Sequence, residues 1–157
     1  IAAAIGGTTC VIDYATQSRG GTLAAAFESW QGKAHGKAAI DYGFHMIVRD
    51  YAPAVEEELD ALVREGVTSF KLFMAYPGVF MVDDQTMFRV MQSAGEAGGL
   101  TLVHAENGDA ISHLIKNLLA QGKVEPKHHA ESRPPSMQAG RSRGTDPDMM
   151  PWERVRL

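Results

Sequence analysis

Two side chains have the types and spacing to do chemistry, Lys71 and His104. Lys71 lies in Ser69-Phe-Lys-Leu-Phe-Met-Ala-Tyr76, a run apolar on nearly every side. Read as a strand, its two-residue alternation sends Phe70, Leu72 and Met74 to one face and Ser69, Lys71, Phe73 and Ala75 to the other. A lysine directed into a barrel must meet an anion, lose its proton or be modified. The alternative is an ion-paired lysine, or one whose stem runs along apolar surface to water. His104 stands at the end of Leu100-Thr-Leu-Val-His-Ala-Glu106. At the C-terminal end of a barrel strand, an imidazole can ligate zinc or move a proton. The competing reading is a core histidine bonded to neighbouring backbone. Two such groups on successive strands would project into one cup, which favours the chemical reading of both.

The remaining candidates are weaker. His45 sits mid-strand in Phe44-His-Met-Ile-Val48 and reads as packing, while His35 and His113 fall on a loop and an amphipathic helix as solvated side chains. Adjacent side chains rarely chelate one ion on a regular element, so His128-His129 is not taken as a metal pair. Glu106 and Asp109 could bind metal, although Asp109 is better explained as a helix N-cap. Glu56-Glu57-Glu58 reads as a solvated face. No phosphate-binding glycine pattern is present.

The elements that must position Lys71 and His104 alternate regularly. Short β-branched or aromatic runs at 8–14, 44–48, 69–75 and 100–105 predict strands. Between and after them come helical stripes. Leu23, Ala26, Phe27 and Trp30 share a face after Thr22. Val55, Leu59, Leu62 and Val63 do so between Pro53 and the Gly66 stop. Met87, Val90, Met91 and Ala94 follow a capping Asp84 and end at Gly98-Gly99. Ile111, Leu114, Ile115, Leu118 and Leu119 lead to Gly122. The rhythm predicts βα units on a parallel sheet, an α/β fold corresponding to about four of the eight units of a (β/α)8 TIM barrel, with 1–135 as the partial barrel domain. From Ser136 the periodicity is lost, and 136–157 is expected to be an irregular tail.

Composition sets the outer limits. The 157 residues are 45% hydrophobic and 22% charged, an ordinary globular balance able to bury a core. A formal charge of −4 offers no basic stripe, so no nucleic acid is expected. No apolar run approaches the ~20 residues that span a bilayer, so no membrane is expected. The single Cys10 excludes an internal disulfide and suits a reducing, cytoplasmic setting. The apolar start without a Met reads as part of something longer.

Longer stretches carry a resemblance. Gly6-Gly-Thr-Thr9 with Ile12-Asp-Tyr-Ala15, Asp41-Tyr-Gly-Phe-His-Met-Ile-Val48 and Gly66-Val-Thr-Ser-Phe-Lys-Leu-Phe-Met-Ala-Tyr76 resemble dihydropyrimidinases and D-hydantoinases, cyclic amidohydrolases. So do Val103-His-Ala-Glu-Asn-Gly-Asp109 and His129-Ala-Glu-Ser-Arg-Pro-Pro135. The resemblance covers nearly everything from Ile5 to Pro135 and implies an internal segment of a (β/α)8 metal-dependent hydrolase. It implies two zinc ions, bridged by Lys71 once CO2 has made it a carbamate, with His104 ligating one of them. Tyr76 would hydrogen-bond substrate and stabilise the oxyanion. The implied substrate is a small cyclic amide, a dihydropyrimidine of pyrimidine catabolism or a 5-substituted hydantoin, opened by a metal-bridging hydroxide in a cytoplasmic homotetramer. The family's HxH pair would lie before Ile1, and a further histidine and an aspartate on later strands. The chain by itself is therefore expected to be inactive. Allantoinase and dihydroorotase fit the DYGFH and FKLFMAY wording poorly. The non-catalytic collapsin response mediators are a second alternative, disfavoured by Lys71 and His104.

Overall fold

A computed structural model describes residues 1–137. The elements run α1 (Ala2–Ile5), β1 (Cys10–Thr16), α2 (Leu23–Ala34), β2 (Asp41–Ile47), α3 (Val55–Arg64), β3 (Ser69–Phe73), α4 (Asp84–Glu96), β4 (Leu100–His104) and α5 (Gly108–Ala120), then two 3-10 turns at Pro126–His128 and Ala130–Ser132. The strands form one sheet in sequential order, β1-β2-β3-β4. The β1–β2 pair is parallel from Cys10 opposite Asp41 to Thr16 opposite Ile47, and Ile47 lies opposite Lys71 in the parallel β2–β3 pair. Strand followed by helix, four times over, is the expected partial barrel.

Two units divide the described residues, 1–72 with 84–102 and 73–83 with 103–137. In the first, the sequence stripes become the core. Leu23, Met46, Val48, Val55, Leu59, Phe70, Leu72 and Val90 are almost wholly removed from water. Burying each such side chain contributes roughly 1.5–3 kcal/mol before entropy is subtracted. Thr22 caps α2 by accepting from the Ala25 amide at 3.1 Å. The α3 acids stand in its first turn, where the helix dipole favours them. Glu58 is not merely solvated as expected: its carboxylate accepts from the Leu23 amide at 2.8 Å and so docks α3 on the start of α2. Gln17, fully buried, accepts from the Arg49 and Asp50 amides and donates to the Gly21 carbonyl, bracing the ends of β1 and β2.

In the second unit, Met74 donates to the His104 carbonyl at 3.0 Å, and Gly108 donates to the Met74 carbonyl at 3.3 Å. α5 begins two residues earlier than Asp109 as N-cap would require. Its N-cap is Asn107, whose side chain accepts from the Ala110 amide at 3.1 Å, and Asp109 occupies the first turn. β1 and β3 also end at Thr16 and Phe73 rather than at Tyr14 and Ala75. Residues 135–137 form a helical turn, and the Asn107 amide donates to the Met137 carbonyl. The rest of the expected tail, 138–157, lies outside the described residues.

Candidate active site

Lys71 is held in β3 of the first unit, where the Val48 amide donates to its carbonyl at 3.0 Å. Burial alternates along β3 as the sequence requires. Phe70 and Leu72 are fully buried, and Ser69, Lys71 and Phe73 are half-buried on the other face. Partial removal from water pushes the Lys71 ammonium below the usual lysine value. Desolvation thereby raises the share of neutral amine, the form whose lone pair attacks an electrophile. His45, expected as packing, sits beside Tyr14 with Nδ1 2.5 Å from the Ser69 hydroxyl.

Tyr76 and His104 meet in the second unit. Their rings stack at 5.3 Å between centroids and 29° between planes. Phe73 lies against both, at 5.9 Å from Tyr76 and 5.5 Å from His104, and Phe80 closes the cluster edge-on to Tyr76. Tyr76 is the one described non-glycine residue with positive φ, at 64°. A bulky side chain in that region is strained by about 1–3 kcal/mol and persists only where its surroundings hold it. Here the amides of Val79, Phe80 and Met81 all converge on the Tyr76 carbonyl at 3.0–3.2 Å. Tyr76 as a whole is 39% exposed, with its ring against His104, Phe73 and Phe80. Gly108 fixes the other side: a Cβ there would fall 2.8 Å from the Ala75 Cα and 3.0 Å from the Met74 carbonyl oxygen, so only glycine admits this approach of α5.

His104 leaves one side of its ring toward the buried Glu106, whose Oε2 is 3.0 Å from Nε2. Glu106 Oε1 lies 4.0 Å from Arg133 Nε. The signal for this pair was present in the sequence as His-x-Glu spacing, which puts both side chains on one face of an extended segment. In the His128-His129 pair, His128 Nδ1 lies 2.6 Å from Glu131 Oε1 and His129 Nδ1 lies 3.2 Å from Arg133 Nη1. Glu131 is held well below the usual carboxylate range, at about 2, by its hydrogen bonds to Lys123 and His128. Nothing in the sequence singled out Gln17, because its importance comes only from which amides surround it.

A desolvated lysine amine and a half-buried imidazole with a buried carboxylate behind it both suit metal ligation chemically. Among the described residues, however, no three His, Cys, Asp or Glu side chains converge.

A parallel sheet of sequential βα units has the architecture of part of a βα-barrel. No family model matches the chain. It is 53% identical over 138 residues to a D-hydantoinase of Streptomyces coelicolor, covering 88% of this chain and 30% of that protein. A solved D-hydantoinase superposes with a TM-score of 0.86 at 50% identity, over 90% of this chain and 31% of the other. A dihydropyrimidinase from Brevibacillus agri gives 0.85 at 48%, with the same coverage. The chain is a homologue of the D-hydantoinases and dihydropyrimidinases, hydrolytic enzymes, and spans about 30% of the length of the relatives it matches.

Proposed function

We propose that this chain is a segment of a hydrolase that opens the ring amide of a 5-substituted hydantoin or a dihydropyrimidine. The observation that carries the reading is the 53% identity to a D-hydantoinase, running through the segments that hold Lys71, Tyr76 and His104. Lys71 and His104 would hold a zinc pair together with ligands from other segments, and the metals would supply an activated water and polarise the amide carbonyl.

This chain's own groups divide the remaining work. The neutral Lys71 amine attacks CO2, forming an N–C bond and releasing one proton, which leaves an anionic carbamate with two oxygens able to bridge cations. His104 presents a ring nitrogen from the end of β4. The Tyr76 hydroxyl, carried on a ring packed against His104, donates a hydrogen bond to the oxygen that gains charge as the carbonyl becomes tetrahedral. Its strained turn is then preorganisation, holding the donor in place before charge develops. A homotetramer and a cytoplasmic setting belong to the same reading, the latter supported by the free, exposed Cys10. No described helix is long and apolar enough to cross a membrane.

The test is a chimera in which residues 5–135 replace the matching segment of the Streptomyces coelicolor D-hydantoinase. It should open a hydantoin ring at a rate within about tenfold of the parent. Tyr76→Phe should lower kcat by roughly 10²–10³, the cost of one oxyanion donor. Lys71→Ala should abolish turnover. A folded chimera that is inert, or one indifferent to Lys71→Ala, would refute the reading.

A further inference from the structure

Glu106 is a buried carboxylate, 5% exposed, two residues beyond His104. It lies in the second unit with everything it is seen to touch there. A buried carboxylate is tolerated only where donors face it. Nε2 of His104 lies 3.0 Å from Oε2, and Arg133 Nε lies 4.0 Å from Oε1. Arg133 is itself anchored, with Nη1 donating to the Ser132 hydroxyl at 3.0 Å and lying 3.2 Å from His129 Nδ1. The segment 129–133 therefore backs the carboxylate that backs the imidazole.

The direction of the hydrogen bond follows from what a carboxylate can do. It only accepts, so the ring nitrogen facing it carries the proton. A neutral His104 ring is then the Nε2–H tautomer, with its lone pair on Nδ1, which no described residue hydrogen-bonds. Stacking on Tyr76 and a tilted contact with Phe73 hold the plane of the ring, and Glu106 holds its rotation within that plane.

We propose that Glu106 is a positioning residue: it accepts the Nε2 proton of His104 and thereby presents Nδ1, not Nε2, as the nitrogen that binds a ligand. That ligand is a zinc ion on the reading given above, on which this consequence rests. A carboxylate behind a ligating imidazole makes the imidazole a better donor and fixes its aim. The wording of the sequence, His-Ala-Glu followed later by Glu-Ser-Arg, then has a shared purpose: histidine, its acceptor, and the cation opposite the acceptor.

The experiment is 1H–15N NMR of the histidine ring nitrogens in the full chain at a pH where the imidazoles are neutral, with His104 assigned by a His104→Gln variant. The wild type should show a protonated Nε2 whose proton is retained against exchange with water. Glu106→Ala should lose that resonance. Glu106→Gln, whose amide oxygen still accepts, should keep it. A neutral ring protonated at Nδ1, or an Nε2 proton equally protected in Glu106→Ala, would overturn the proposal. Should Glu106→Ala fail to fold, the wild-type and Glu106→Gln spectra decide the matter by the same criteria. Zn2+ is then added to the wild type. A shift of the Nδ1 resonance supports ligation there, and a shift of Nε2 with loss of its proton overturns the proposal. A protected Nε2 proton with no response to Zn2+ leaves the positioning role standing and counts against the metal reading alone.

Discussion

Charge and strain at single residues are where the chain departs most from its average. Tyr76 adopts φ 64°, a region that costs a bulky side chain energy, and three amides on its carbonyl hold it there. Lys71 was legible beforehand, because a lone cation in a run of apolar residues has few acceptable environments. The Tyr76 backbone was not, since left-handed geometry leaves no mark on residue type unless glycine or asparagine supplies it. Glu131 offers a residue-scale prediction. Lys123 and His128 hold its carboxyl near 2, against 4.5 ordinarily. A lowered carboxyl pKa means that the pairing is fully present above 4.5 and lost as pH falls through about 2. A 13C titration of Glu131 should find its midpoint near 2 in the wild type and closer to 4.5 in Lys123→Ala. The pair is exposed, so added salt should raise the midpoint as well.

Elements were the most readable level. Each predicted strand and helix exists, since a stripe of Leu, Val and Met at helical spacing has one efficient way to leave water. Their ends were read less well. Asn107 and Asp109 are both good caps, and the choice of Asn107 follows from where α5 must start to pack. Gly108 decides that start. Glycine in a helix normally costs up to ~1 kcal/mol relative to alanine, so Gly108→Ala judged by propensity alone should stabilise. The clash of a Cβ with the Ala75 and Met74 backbone reverses the sign. We expect Gly108→Ala to destabilise by about 1–3 kcal/mol, as overpacking does. Gly32 is the control, exposed within α2 with nothing near its absent Cβ. Gly32→Ala should stabilise by about 0.5–1 kcal/mol. Denaturant unfolding of the two variants measures both. Equal signs would show that the close approach at Gly108 is not what its neighbours require.

Across the whole molecule, the balance between what is covered and what is bare sets expectations. Val11, Ile12 and Tyr14 on the outer strand β1 are 40%, 56% and 40% exposed, and Leu119 on α5 is 55% exposed, so several apolar faces carry no cover from the described residues. The chain spans about 30% of its D-hydantoinase relatives. We predict that the chain by itself does not open a hydantoin ring. Its rate should match that of Lys71→Ala in the same assay, and a clear excess would show that it assembles a working site unaided. The succession of strands and helices and the two faces of β3 followed from local periodicity, because alternation and helical spacing are properties of successive residues. The arginine behind the Glu106 carboxylate and the docking of Glu58 on the start of α2 join residues brought together only by folding. No spacing rule reaches across such gaps, so tertiary structure alone decided them.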